Sequence, residues 1–173
     1  MHSHYVSFFL YLVTNNSSLA TICLTQMIRE TDISINDTDA STTREIKVSD
    51  MHNRLAIYNS SEYNIVVGIH QNKFEQSKYN GTQIFYSKNN QNSNILAESV
   101  RNSVVSLLQP ENTRELKPAD SNIYLLHNAK VPAIITECGF ISNEEELQKL
   151  KDDSYQQKMA FSIFCGILDY ISN

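Results

Sequence analysis

A chain of 173 residues, 41% hydrophobic and 19% charged, is long enough to bury one core and too apolar to stay disordered. Its formal charge of -5, with no cluster of Lys or Arg, excludes the phosphate-neutralising footprint of a nucleic-acid partner, and no apolar run reaches membrane-spanning length. Three cysteines, Cys23, Cys138 and Cys165, leave one over in any disulfide scheme and show no C-x-x-C spacing, so Cys23 and Cys165 read as small core residues.

In chain order, the apolar run around Phe8 to Val13 lacks the basic flank and cleavage site of an export signal and predicts a buried helix near residues 5–15. Residues 19–25 predict a strand, and the polar stretch from Thr31 to Thr43 a long surface loop. Apolar spacing at Ile46, Val48, Met51, Leu55 and Ile57 predicts a helix from Arg44 to Ser60. Asn64 to His70 reads as a buried strand, Gly81 to Tyr86 as an edge strand, and Ile95 to Leu108 as an amphipathic helix stopped by Pro110. Two more strands are expected at Ile123 to Leu126 and Val131 to Thr136. Helices follow from Glu144 to Lys151, capped by Ser142 or Asn143, and from Tyr155 to Ile171, with Met159, Phe161, Ile163, Phe164, Ile167, Leu168 and Ile171 facing the core. Alternating helices and short buried strands specify a single α/β domain, a mostly parallel twisted sheet with helices on both faces.

Two of these strands end on residues with chemistry. His70 closes Ile65-Val66-Val67-Gly68-Ile69, and Glu137 closes Val131 to Thr136. Ligands and catalytic groups of open α/β sheets gather beyond the carboxyl ends of the strands, so the pair points to one rim. A neutral imidazole suits zinc, a carboxylate beside zinc serves as general base for hydrolysis, and Asn72 is placed to orient a loop or touch substrate. A hydrogen-bonded strand-end histidine is the plainer role for His70. A rival chemistry has Cys138 as a nucleophile with His70 as its base. His52 and His127 read as surface or capping residues.

Taken in order, several segments resemble the zinc-dependent N-acetylmuramoyl-L-alanine amidases of bacterial cell-wall hydrolysis, in the branch with the spore-cortex, germination-type enzymes. They are Ile28-Arg29-Glu30-Thr31-Asp32, Arg54 to Asn59, Gly68-Ile69-His70-Gln71-Asn72, Gly81 to Ser87, Asn112-Thr113-Arg114-Glu115-Leu116-Lys117, Ile123 to Leu126 and Val131 to Asn143, with Gly166 to Tyr170 near the end. The resemblance implies hydrolysis of the amide between N-acetylmuramic acid and L-alanine in peptidoglycan, outside the cytoplasmic membrane. It also implies Zn2+ as cofactor, His70 as a zinc ligand and Glu137 as the catalytic carboxylate. Arg29, Arg54, Asn59 and Arg114 fall at recurrent family positions, where loop anchoring, substrate contact and plain surface or helix-capping roles all stay open; Asn72 and Arg114 are the expected substrate contacts.

The family opens with a strand running into an Asp-Pro-Gly-His-Gly turn and then a Glu ligand, and neither stands in this sequence. The expectation is an amidase catalytic domain over residues 1–173, incomplete at its N-terminus, lacking the first strand and two of three zinc ligands. His2 or His4 is a conceivable substitute for the missing Glu. The alternative is an inactive relative that at most binds peptidoglycan.

Overall fold

In the computed structural model the described residues are 8–14, 23–28 and 33–173. The expectations for His2, His4 and Arg29 lie outside them, as does the side chain of Cys23. The elements are β1 (Phe8–Thr14), β2 (Cys23–Met27), α1 (Thr43–Tyr58), β3 (Asn64–Asn72), β4 (Gln83–Tyr86), α2 (Asn92–Leu107), β5 (Lys117–Pro118), α3 (Tyr124–Asn128), β6 (Ala133–Phe140), α4 (Glu144–Lys151) and α5 (Asp153–Ser172).

They build one six-stranded sheet in the order β2-β1-β3-β6-β4-β5. The sheet is mixed where a mostly parallel one was expected: β3 and β6 run parallel, as do β4 and β5, while β1 is antiparallel to both β2 and β3, and β4 to β6. Connection length accounts for this. A parallel return needs a crossover of a dozen or more residues, and the segments joining β1 to β2 and β3 to β4 are shorter than that. The segment from β3 to β6 contains α2 and α3 and meets the requirement.

Helices cover both faces, as expected. On one, α2 and α5 pack over Ile65, Val67, Ile84, Ile134 and Cys138. On the other, α1 and α3 lie over Val66, Ala133 and Ile135 through Tyr58, Leu125 and Leu126. The alternation 65, 67 against 66, and 134 against 133, 135, is the period of two by which a buried strand feeds two cores.

Several elements differ from expectation. The helix predicted near residues 5–15 is strand β1, whose register along β3 runs from Phe8 opposite Ile69 to Val13 opposite Asn64. It lies between β2 and β3, on the side of β3 away from β6. Ile123 to Leu126, predicted as a strand, enters α3; His127 N–H donates to Ile123 O at 2.8 Å, a helical turn that buries Leu125 and Leu126. A short apolar run satisfies either structure, and tertiary packing decides. The predicted edge strand β4 lies inside the sheet, because Lys117 and Pro118 form β5 beyond it.

Helix α1 buries Asp50, Arg54 and Tyr58, while Val48 and Met51 are exposed. An Asp50–Arg54 ion pair of 2.8 Å one turn apart occupies the buried face, and Asp50 also accepts the Ile35 N–H at 2.8 Å. A count of apolar residues misses a face closed by a charge pair. On α5, Met159, Ile163 and Ile167 are buried as expected, but Phe161, Phe164 and Leu168 are exposed. Cys165 is half-buried.

Candidate active site

Parallel pairing of β3 and β6 sets His70 in register with Glu137, and antiparallel pairing of β4 and β6 sets Gln83 in register with Glu137 from the other side. Alternation from Val66 and Ile135 places all three on the α1/α3 face, so His70, Glu137 and Gln83 form a row across three strands. The juxtaposition of His70 and Glu137 expected from their strand ends is therefore present. Gln83 was not anticipated, because nothing in the sequence marks a strand residue as the neighbour of one far along the chain.

Just past the row, β6 bulges. His70 pairs with Glu137 and Asn72 with Phe140, so Cys138 and Gly139 together oppose Gln71. Cys138 joins the α2/α5 core, and a Cβ on Gly139 would meet Glu146 and Leu150 of α4 at 3.2 and 3.3 Å, so both face that side. Phe140 thereby returns to the side of Glu137. There its ring is covered by Arg114, whose guanidinium carbon lies 4.5 Å from the ring centroid. Asn72 is half-buried opposite Phe140, and its carbonyl accepts the Ile141 N–H at 2.8 Å.

Arg114 is held from several directions. Its Nε donates to Asn80 O at 2.6 Å, and a terminal nitrogen donates to Gln83 Oε1 at 3.4 Å. Gln83 Nε2 donates to Glu115 O at 2.6 Å, which fixes the amide's orientation. Arg54 and Asn59 act structurally: Arg54 in the α1 ion pair, Asn59 by accepting the Lys130 N–H at 2.8 Å.

Burial raises the Glu137 carboxyl to about 7, and its Oε2 is buried without a hydrogen-bond partner among the described residues. A carboxyl poised there exchanges a proton near neutral pH, as a general base and then acid must. The rival Cys138 is excluded. Burial pushes its thiol up to about 12, its Sγ donates to Thr136 O at 3.7 Å, and it faces the side of the sheet away from His70. Iodoacetamide is expected to leave Cys138 unmodified in the native chain and to label it only in denaturant, as peptide mass spectrometry would read.

The sequence also gave no warning of Glu146. Asn143 caps α4 by accepting the Glu146 N–H at 3.2 Å, but the Glu146 carboxylate does not return to the cap. It accepts the Phe140 N–H at 2.7 Å and the Gly81 N–H at 2.9 Å, tying the end of β6 to the turn before β4. Gly81 makes that turn at φ 83, a left-handed backbone that suits glycine. Replacing Glu146 with Gln should cost about 2 kcal/mol, since one buried N–H loses its charged acceptor; urea titration measures it.

Zinc was the expected cofactor. Structural and catalytic zinc sites take at least three protein ligands, and no group of three His, Cys, Asp or Glu side chains that could hold a metal is gathered among the described residues. The row offers one imidazole and one carboxylate. The described residues therefore do not by themselves fit a complete zinc centre.

Residues 16–169 match the family model of the N-acetylmuramoyl-L-alanine amidases. The chain belongs to that family. It is 31% identical over 146 residues to the germination-specific N-acetylmuramoyl-L-alanine amidase of Bacillus subtilis strain 168, a match covering 84% of this chain and 61% of that protein. An uncharacterised cell wall amidase of Bacillus anthracis is 33% identical over 125 residues, covering 68% of this chain and 23% of its own length. The chain thus spans less than two thirds of either. Among solved structures, the CwlD amidase of Clostridioides difficile, determined in complex with the GerS lipoprotein, superposes with a TM-score of 0.77 at 41% identity, covering 83% of this chain and 73% of that one. An N-acetylmuramoyl-L-alanine amidase from Clostridium difficile 630 follows at 0.63 and 27%, covering 71% and 66%. The fold shared with these amidases is a single α/β domain whose mixed sheet is flanked by helices.

Proposed function

We propose that residues 1–173 carry an amidase catalytic domain directed at the amide between N-acetylmuramic acid and L-alanine in peptidoglycan on the cell-wall side of the membrane. The observation that carries this reading is the row of His70, Glu137 and Gln83 on one face in a chain of amidase sequence and fold. Glu137 takes the proton of the attacking water and returns it to the alanine nitrogen as the amide breaks, roles suited to a carboxyl raised to about 7. Asn72 and Arg114 border the row and contact the substrate. His70 is the described imidazole that faces Glu137, and its role is that of a zinc ligand by family likeness.

Hydrolysis by this chain is impaired on this reading, because His70 is the one zinc ligand assigned among the described residues, Glu137 being kept as the base. The same observation favours a second reading, an inactive relative that retains peptidoglycan binding. Metal analysis of the purified chain and release of peptide from purified peptidoglycan separate the two. Stoichiometric zinc with peptide release would establish an active amidase. Binding to peptidoglycan with neither zinc nor release would establish the inactive binder, and failure to bind would refute both.

A further inference from the structure

Arg114 is a fixed cation with no acidic partner among the described residues. Its contacts are the Asn80 carbonyl, the Gln83 side-chain amide, the Phe140 ring and, at 5.6 Å, the Tyr79 ring, all neutral. Its backbone is pinned as well: its N–H donates to Asn112 Oδ1 at 3.0 Å and its carbonyl accepts from Arg101 Nε at 2.7 Å. No carboxylate pairs with it among the described residues, although the chain carries 19 acidic groups and the ion pairs Asp50–Arg54 and Glu145–Lys149 show that such pairs form elsewhere. A half-buried guanidinium oriented by a ring face and two neutral acceptors retains N–H donors in the fork geometry that suits a carboxylate.

Its location narrows the carboxylate. Gln83 is in register with Glu137, and Arg114 reaches Gln83 Oε1 from the far side. One strand spacing plus the Gln83 side chain puts the guanidinium on the order of 10 Å from the Glu137 carboxyl. In an extended stem peptide, the second residue beyond the scissile amide lies roughly 7 Å along the chain, and the attacking water adds about 3 Å between base and carbonyl. That second residue is D-glutamate joined through its side chain, which leaves its α-carboxyl either free or amidated.

On the amidase reading given above, we infer that Arg114 is a specificity-determining residue that receives the free α-carboxylate of the second stem-peptide residue and discriminates against its amide. The two forms have nearly the same shape and differ by one charge, so the preference isolates the role of the guanidinium.

Isothermal titration of the full chain with N-acetylmuramyl-L-alanyl-D-glutamate and with N-acetylmuramyl-L-alanyl-D-isoglutamine tests this without requiring turnover. The free acid should bind about tenfold more tightly, the effect of a charge-assisted hydrogen bond at a partly exposed site. Arg114→Gln should bring the two ligands within about twofold of each other, and Arg114→Lys should keep a weakened preference for the acid. Equal binding of both ligands by the parent chain, or a preference that survives in Arg114→Gln, would overturn the inference and leave the amidase reading standing. Binding of neither ligand would overturn the reading and the inference with it.

Discussion

Glu137→Gln should stabilise the metal-free chain above pH 7 while abolishing whatever amide hydrolysis the parent retains. The carboxyl titrates at about 7 in the fold against 4.5 for its ordinary value, because burial disfavours the charged form. Between those values the native state holds a proton that the unfolded chain has released. Stability from this group is therefore complete below pH 4.5 and declines as pH rises through 7. The span corresponds to on the order of 3 kcal/mol lost between acid and mildly alkaline solution.

Glutamine is neutral throughout and loses nothing over that range. Urea unfolding of parent and variant in chelator should give similar stabilities near pH 4.5 and a difference in favour of the variant that grows to about 2–3 kcal/mol by pH 8. A difference that stays constant with pH would show that Glu137 does not carry the raised pKa assigned to it. The sign is informative in itself. Most substitutions destabilise, whereas one that removes an acid held in an unfavourable setting stabilises, as expected when the setting serves chemistry.

The residues legible in the sequence are those whose signal is local. β3 and β6 stood out as apolar runs, His70 and Glu137 as their closing residues, and α4 as a capped acidic-first helix whose observed bounds, Glu144–Lys151, are those expected. Their common rim followed from a general property of α/β sheets. What stayed hidden depends on partners distant in sequence. Gln83 enters the row only through pairing across β4 and β6, and Phe140 reaches the same side only because the bulge at Cys138 and Gly139 resets the alternation. Glu146 is one of three acids in the first turn of α4, and its ties to Phe140 and Gly81 need the folded chain. The errors at β1 and α3 share one cause: a short apolar run fits a strand or a buried helix equally well until its neighbours are known.

Gly166→Ala should destabilise the fold by about 2 kcal/mol although alanine is the better helix former. Gly166 lies on α5 where it crosses α2, and a Cβ there would stand 2.5 Å from Val100 Cα, 2.8 Å from Ser99 O and 2.9 Å from Val100 N. All three are backbone atoms, so no side-chain rotation relieves the contact; the two helices must move apart. That separation loosens Val100, Ile163 and Ile167, which are buried in the core beneath the crossing. The gain of about 1 kcal/mol in helix propensity opposes a larger overpacking cost, so the net sign is unfavourable. Gly166→Val, with two more methyl groups at the same point, should cost more again and lower the urea midpoint further. Alanine at 166 with an unchanged or raised midpoint would show that α2 and α5 approach less closely than these distances require. The crossing also connects to the site: α2 and α5 hold the face of β6 opposite Glu137, so the variants should broaden the backbone amide signals of β6 in nuclear magnetic resonance spectra before global unfolding begins.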